Sequence, residues 1–205
     1  MSAPRLEPLK PDALDTDQRK LYDAVLDSPR GQGPARRIIL RDDETLTGPF
    51  DAFLRTPALG LHLERVGMAF RTDTVLPDAA REMAVLVVAQ AWGADFEWWV
   101  HGLVARRSGI SDGEIDAVGH GIRPEFSDEA VAAAHDVAVA LVHRREVEDE
   151  TLERARGALG ERGLVEVVTL VGFYQLISGV LTTFEPPPPS GDFDVVGPPT
   201  KGEVR

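Results

Sequence analysis

Glu97 and His101 stand four residues apart in a stretch that reads as helix, so they share a face and can touch. A carboxylate beside an imidazole raises the histidine pKa and fixes the ring, an arrangement suited to general acid/base work. An ordinary surface pair has the same spacing. The flanking Phe96, Trp98, Trp99 and Val100 argue for a half-buried pair with altered proton affinity. Glu82 opens the most apolar helical stretch of the chain, so it either stays at the exposed helix start or has a partner. Trp98 and Trp99 are candidate pocket walls, although core packing or a subunit contact would use them equally well. Arg81 and Arg71 are the cations nearest the motif in sequence and the candidates for holding an anionic substrate.

These side chains can meet only if the helices around them fold back on each other. Residues 81–92 are apolar nearly all round, which predicts a helix at the centre of the core. Gly93 ends it, and the next helix runs over residues 95–107. A tight turn at Gly93 makes the pair antiparallel. Glu82 lies eleven residues before that glycine and His101 eight after it. At ~1.5 Å per residue they sit ~16 and ~12 Å from the turn, within side-chain reach of each other. One pocket is therefore expected to gather Glu82, Glu97 and His101, with Trp98 or Trp99 and Tyr174 in its wall.

The remaining pattern is helical throughout, and the predicted fold class is all-α. A first helix is expected over residues 16–27, then a long loop with a short extended piece over 28–47. Pro49 precedes a short helix. Thr56 and Pro57 read as N-cap and first helical residue, with Leu59, Leu63, Val66, Gly67 and Phe70 as the buried stripe. Ser111 and Glu114 have capping-box spacing. Ser127 and Asp149 are expected caps of later helices, and Gly163 is expected to precede a last one over 164–183. The expected organisation is an extended arm over 1–14, a single helical domain over 15–184 and a Pro/Gly-rich tail over 185–205.

With 205 residues and 43% apolar content, the chain has the size and composition of a globular domain. Its net charge of −12, with no basic cluster larger than the pairs Arg36-Arg37, Arg106-Arg107 and Arg144-Arg145, speaks against a nucleic-acid partner. No unbroken apolar run approaches ~18 residues, so no membrane partner is expected. No signal-like segment opens the chain and it contains no cysteine, so a cytoplasmic location is expected.

Several segments together resemble the carboxymuconolactone decarboxylase and alkylhydroperoxidase D-like proteins. Residues 46–50, with Gly48, Pro49 and Phe50, and then Phe53, Leu54, Pro57, Leu63, Gly67 and Arg71, are similar to the opening of that family. Arg81, Glu82 and Met83 continue it. Gly93, Asp95, Glu97, Trp98, Trp99 and His101 resemble its signature helix, and residues 164–174, ending at Tyr174, its closing one. The resemblance covers about residues 45–185 and implies a helical bundle with an antiparallel hairpin carrying the site. It also implies a homo-trimer or a trimer-based hexamer. The peroxidase branch carries two cysteines on the signature helix, and those positions hold Ala94 and Glu97 here. Thiol peroxidase chemistry is therefore excluded.

What carries over is Glu82 and His101, which in that branch resemble a proton relay. The Glu-Trp-x-x-His form looks more like the decarboxylase side, which needs no metal and no organic cofactor. The implied activity is a cofactor-free lyase acting on a small lactone or keto acid. His101 is the expected proton donor or acceptor, with Glu97 and Glu82 as its partners. An isomerase or dehydratase on the same residues and a non-catalytic binding or assembly protein remain open. A metal bound by Glu97, His101 and a third ligand such as His62 or Glu82 is a weaker alternative, since only two ligands are visible locally. His62, His120, His135 and His143 show no motif.

Overall fold

A computed structural model of the chain describes residues 5–186, and its regular elements are all helical. Nine α-helices are described: α1 Thr16–Asp27, α2 Arg36–Ile39, α3 Gly48–Phe53, α4 Pro57–Thr72, α5 Asp78–Trp92, α6 Asp95–Arg107, α7 Asp112–Gly119, α8 Glu129–Val139 and α9 Asp149–Phe184. The expected all-α class holds. The described residues divide into two compact units, one built from residues 5–73 and 180–186, the other from 74–179. The tail expected over 185–205 falls outside the described residues from 187 onward.

In the first unit, α1 packs along α4. Asp15 closes the start of α1 with a capping box: its carboxylate accepts from the Asp17 and Gln18 amides, and the Gln18 side chain accepts from the Asp15 amide. Leu21 and Val25 of α1 are fully buried. They need close access to α4, which Gly60 supplies. A Cβ there would lie 2.5 Å from Leu21 Cδ2 and 3.0 Å from Phe53 Cβ. The leading arm is tied down by the Leu9 amide, which donates to Asp51 Oδ1 at 2.9 Å, and by an Arg55 contact to the Glu7 carbonyl. It is not wholly extended, since Pro11–Ala13 form a 3-10 turn.

Three readings in this unit need correction. The segment after α1 is mostly turns of 3-10 helix plus α2; its extended content is one antiparallel bridge between Leu40 and Leu46. Thr56 occupies the N-cap position of α4, but its side chain caps nothing. The buried residues of α4 are Gly60, Glu64, Gly67 and Phe70, while Leu59 and Val66 face outward. The stripe is thus rotated from the expected one, because the small residues let α1 come close while the larger aliphatics cannot.

The second unit is organised around α5, whose residues 80–89 are all buried. It packs against α6, α7 and α8. A helix covered on several sides needs no polar face, which explains its unbroken apolar sequence. Gly93 takes the left-handed conformation (φ 60, ψ 38), and its amide and that of Ala94 bond back to carbonyls of α5. This terminates α5 within one residue and starts α6 two residues later, giving the expected hairpin. Ser111 and Glu114 form the expected capping box on α7. The cap of α8 is Asp128 and not Ser127, because the Asp128 carboxylate reaches the amides of Ala130 and Val131. The span of α9 is two helices joined at a kink, as expected, but the break falls at Gly160, whose backbone (φ 70, ψ 171) is non-helical, three residues before Gly163.

By length and composition α9 could cross a membrane, with a mean hydropathy of 1.8 over its most apolar window. Val167, Leu170, Val171 and Ile177 are nevertheless buried in the protein core. Glu166 interrupts the stretch and accepts bonds from the Thr74 hydroxyl and the Val75 amide. This is how a core helix is built.

Candidate functional site

The α5–α6 hairpin delivers Glu82 and His101 to each other. Glu82 Oε2 lies 2.6 Å from His101 Nδ1, and Glu97 Oε2 lies 3.0 Å from His101 Nε2. Both ring nitrogens therefore face carboxylates, and an ionised carboxylate can only accept. All three side chains are buried: Glu82 is fully inaccessible, His101 is 3% exposed and Glu97 is 5% exposed. Of the two contacts, the one to Glu97 follows from helical spacing within α6, whereas the one to Glu82 depends on the length and closure of the hairpin.

A buried carboxylate needs compensation beyond one imidazole. Arg81, next in the chain, provides it. Its Nε and one terminal nitrogen contact Glu82 Oε1 at 3.1 and 3.0 Å, and its other terminal nitrogen donates to Asp78 Oδ1 at 2.6 Å. Glu82 thus uses one oxygen for Arg81 and the other for His101. Burial by itself lowers the His101 pKa. The charge and hydrogen bond of Glu82, joined by those of Glu97, outweigh it and hold the imidazole above its ordinary 6.5. Arg81, Glu82, His101 and Glu97 thus partner one another in turn, which is how four ionisable side chains can share one buried place.

Tyr174 on α9 presents its ring edge-on to His101 with centroids 5.0 Å apart, and it packs against Phe173 at 5.4 Å. Trp98 is buried, and half-buried Trp99 has its ring 6.3 Å from that of Phe96. Arg81 lies inside the cluster, its guanidinium engaged by Glu82 and Asp78. Arg71 belongs to the other unit. It lies on α4 of the first unit, where its charge acts on Glu64. Two cavities of the second unit, of about 390 and 700 Å³, are lined by other residues, so neither is the expected pocket around Glu82, Glu97 and His101. Among the described residues no group of three or more His, Cys, Asp or Glu is placed to hold a metal ion.

Two polar clusters escaped the sequence reading. Glu64 is 5% exposed on α4, with Arg30 3.5 Å away, and burial raises its pKa against the opposing pull of Arg30, Ser28 and Arg71. Its four-residue spacing from Gly60 was the available signal. On α8, buried His135 donates from Nδ1 to Asp136 Oδ1 at 2.9 Å, and Arg123 grips the same carboxylate through two nitrogens at 2.7 and 3.0 Å. An adjacent His-Asp pair gives no spacing signal, because neighbours on a helix do not ordinarily face each other.

Residues 57–140, which include this hairpin, match the model of the carboxymuconolactone decarboxylase family. No curated protein and no solved structure matches the chain.

Proposed function

Taking a carboxymuconolactone decarboxylase domain as premise, we propose that the protein is a cofactor-free lyase. Its substrate is a small lactone or keto acid, and its working group is His101. The observation that carries this reading is the buried imidazole between Glu82 and Glu97, with its proton affinity raised. Loss of CO₂ from such an acid breaks a carbon–carbon bond and leaves the electron pair as an enolate. The enzyme's task is to stabilise that charge and return a proton to carbon. Glu82, tied down by Arg81, is the holding carboxylate that fixes the Nδ1 side of the ring. Glu97 and the Nε2 side of His101 are the transferring end. Trp98, Trp99 and Tyr174 supply apolar surroundings that strengthen these charges.

The test is incubation with carboxymuconolactone in D₂O, following CO₂ release and deuterium incorporation into the product. Turnover that carries deuterium at the former carboxyl-bearing carbon skeleton and is lost in His101→Gln supports the reading. Turnover unaffected by His101→Gln, or its complete absence with this and related keto acids, refutes it.

One observation favours a second reading, a binding or assembly role on the same scaffold. Both oxygens of Glu82 and both ring nitrogens of His101 have protein partners, so the cluster also suffices as a buried polar staple. A homo-oligomer belongs to either reading. Trp92 at 42% exposed, with Val165, Val168 and Leu176 outward on α9, offers an apolar face of the kind that seats another subunit.

A further inference from the structure

The cavity of about 390 Å³ on the second unit is lined by Arg123, Arg144 and Arg154, by His135 and His143, and by Asp136 and Glu148. In a chain of net charge −12, the groove lining gathers three arginines beside two carboxylates, an excess of positive charge that Glu150 offsets at the rim through Arg154. Asp136 does not cancel it evenly. Its carboxylate is 16% exposed and already held by Arg123 and His135. The other pairings are of a different kind. Arg144 meets Glu148 at 2.7 Å with both side chains about two-thirds exposed, and Arg154 meets Glu150, whose side chain is 83% exposed. Such pairs contribute little and can be exchanged for a better anion.

The backbone points to the same place. After α8 the chain widens into a π-helical turn over Ala140–Arg144, and Arg145 then adopts φ 62, a conformation unfavourable for a side chain of its kind. π-turns are rare and recur at functional sites, and local strain of this sort persists only where the surroundings enforce it. Here the irregular turn carries His143 and Arg144 to the groove wall. His135, which also lines the groove, donates from Nδ1 to Asp136 and so helps fix that carboxylate.

We propose that this groove is a second ligand site, separate from the Glu82–Glu97–His101 cluster, which takes a small molecule through an oxyanion group, a carboxylate or a phosphate. Arg144 and Arg154 contact the anion from the rim, and Arg123, fixed by Asp136, closes the groove beside them. The site does not depend on the lyase reading, since none of the groove residues belongs to that cluster.

Isothermal titration of the full chain with inorganic phosphate, and in parallel with succinate, tests the proposal. Saturable binding of at least one probe in the millimolar range or tighter is expected, and the probe preferred identifies the anion as phosphate or carboxylate. The double variant Arg144→Gln/Arg154→Gln, altered only at exposed positions, should bind at least ~10-fold more weakly, the effect of losing charge-assisted hydrogen bonds. Arg156→Gln, whose guanidinium pairs with Glu153 and does not line the groove, should bind as the parent does. Failure of both probes to saturate below ~50 mM, more than tenfold beyond the millimolar range, overturns the proposal. So does an equal loss in the Arg156→Gln variant.

Discussion

Replacing Glu82 by glutamine keeps the shape of the side chain and removes one buried negative charge. In the parent, that charge is shared between Arg81, 7% exposed, and His101, 4% exposed. Without it, Arg81 keeps only Asp78 and His101 keeps only Glu97. Breaking a buried pair by removing one partner typically costs ~3–5 kcal/mol. For a chain of this length that is about 6–20 °C in Tm, at roughly 2–4 °C per kcal/mol. The loss should depend on pH. His101 has its pKa raised in the folded protein, so its protonation stabilises the fold fully below about 6.5. That contribution fades as pH rises through the folded value. Glu82→Gln removes the first of the two carboxylates that raise it. The stability gap between parent and variant should therefore be widest below pH 6.5 and narrow in alkali, where a neutral imidazole can donate to the glutamine oxygen. Denaturant unfolding followed by circular dichroism at pH 6 and pH 9, with an NMR titration of the His101 ring, measures both effects. A loss below ~1 kcal/mol, the size of an exposed pair, would refute the reasoning. So would a gap that widens with pH.

Purified protein should show no thiol-dependent hydroperoxide reduction above a blank, because the chain has no cysteine; a coupled peroxide assay checks this. Gly60→Ala should destabilise the first unit by ~1–3 kcal/mol, since the added methyl meets Leu21 and Phe53; thermal unfolding reads it, and an unchanged Tm would mean that α1 can move away freely. Asp136 has its pKa held well below the ordinary carboxylate range by His135 and Arg123 against the opposing effect of burial, so it stabilises the fold above its unfolded pKa of about 4 and loses that contribution as pH falls further. Asp136→Asn should accordingly flatten the acid limb of the stability curve, seen by unfolding between pH 5 and pH 2. Light scattering at micromolar protein should give a multiple of the 22.3 kDa chain, and Trp92→Glu should shift it toward the monomer.

The sequence was most legible where local rules act alone. Apolar residues all around α5, a glycine at its end and a four-residue spacing in α6 are local facts, and they suffice to bring Glu82 and His101 together. Reading failed where a neighbour decides. Leu59 and Val66 look like core residues on α4, but the face was chosen by how closely α1 approaches Gly60. Ser127 and Asp128 are both competent caps, and one residue of backbone direction selected Asp128. Gly163 is expected to precede the last helix, and the kink falls instead at Gly160. The His135–Asp136 pair was invisible for a related reason: its meaning comes from Arg123, twelve residues before His135, and from the irregular turn after α8.

The left-handed turn at Gly93 also makes the hairpin a ruler. Eighteen residues separate Glu82 from His101, and every one is in helix or in that turn. Inserting or deleting a single residue between them would rotate one side chain by ~100° and slide it by ~1.5 Å against the other. With the ring already at 2.6 Å from its carboxylate, no side-chain rotation recovers such a displacement. Chains built on this hairpin can lengthen between α2 and α3 or beyond α7, but not between residues 82 and 101. Any working relative must therefore preserve the count there even where it preserves few of the residues.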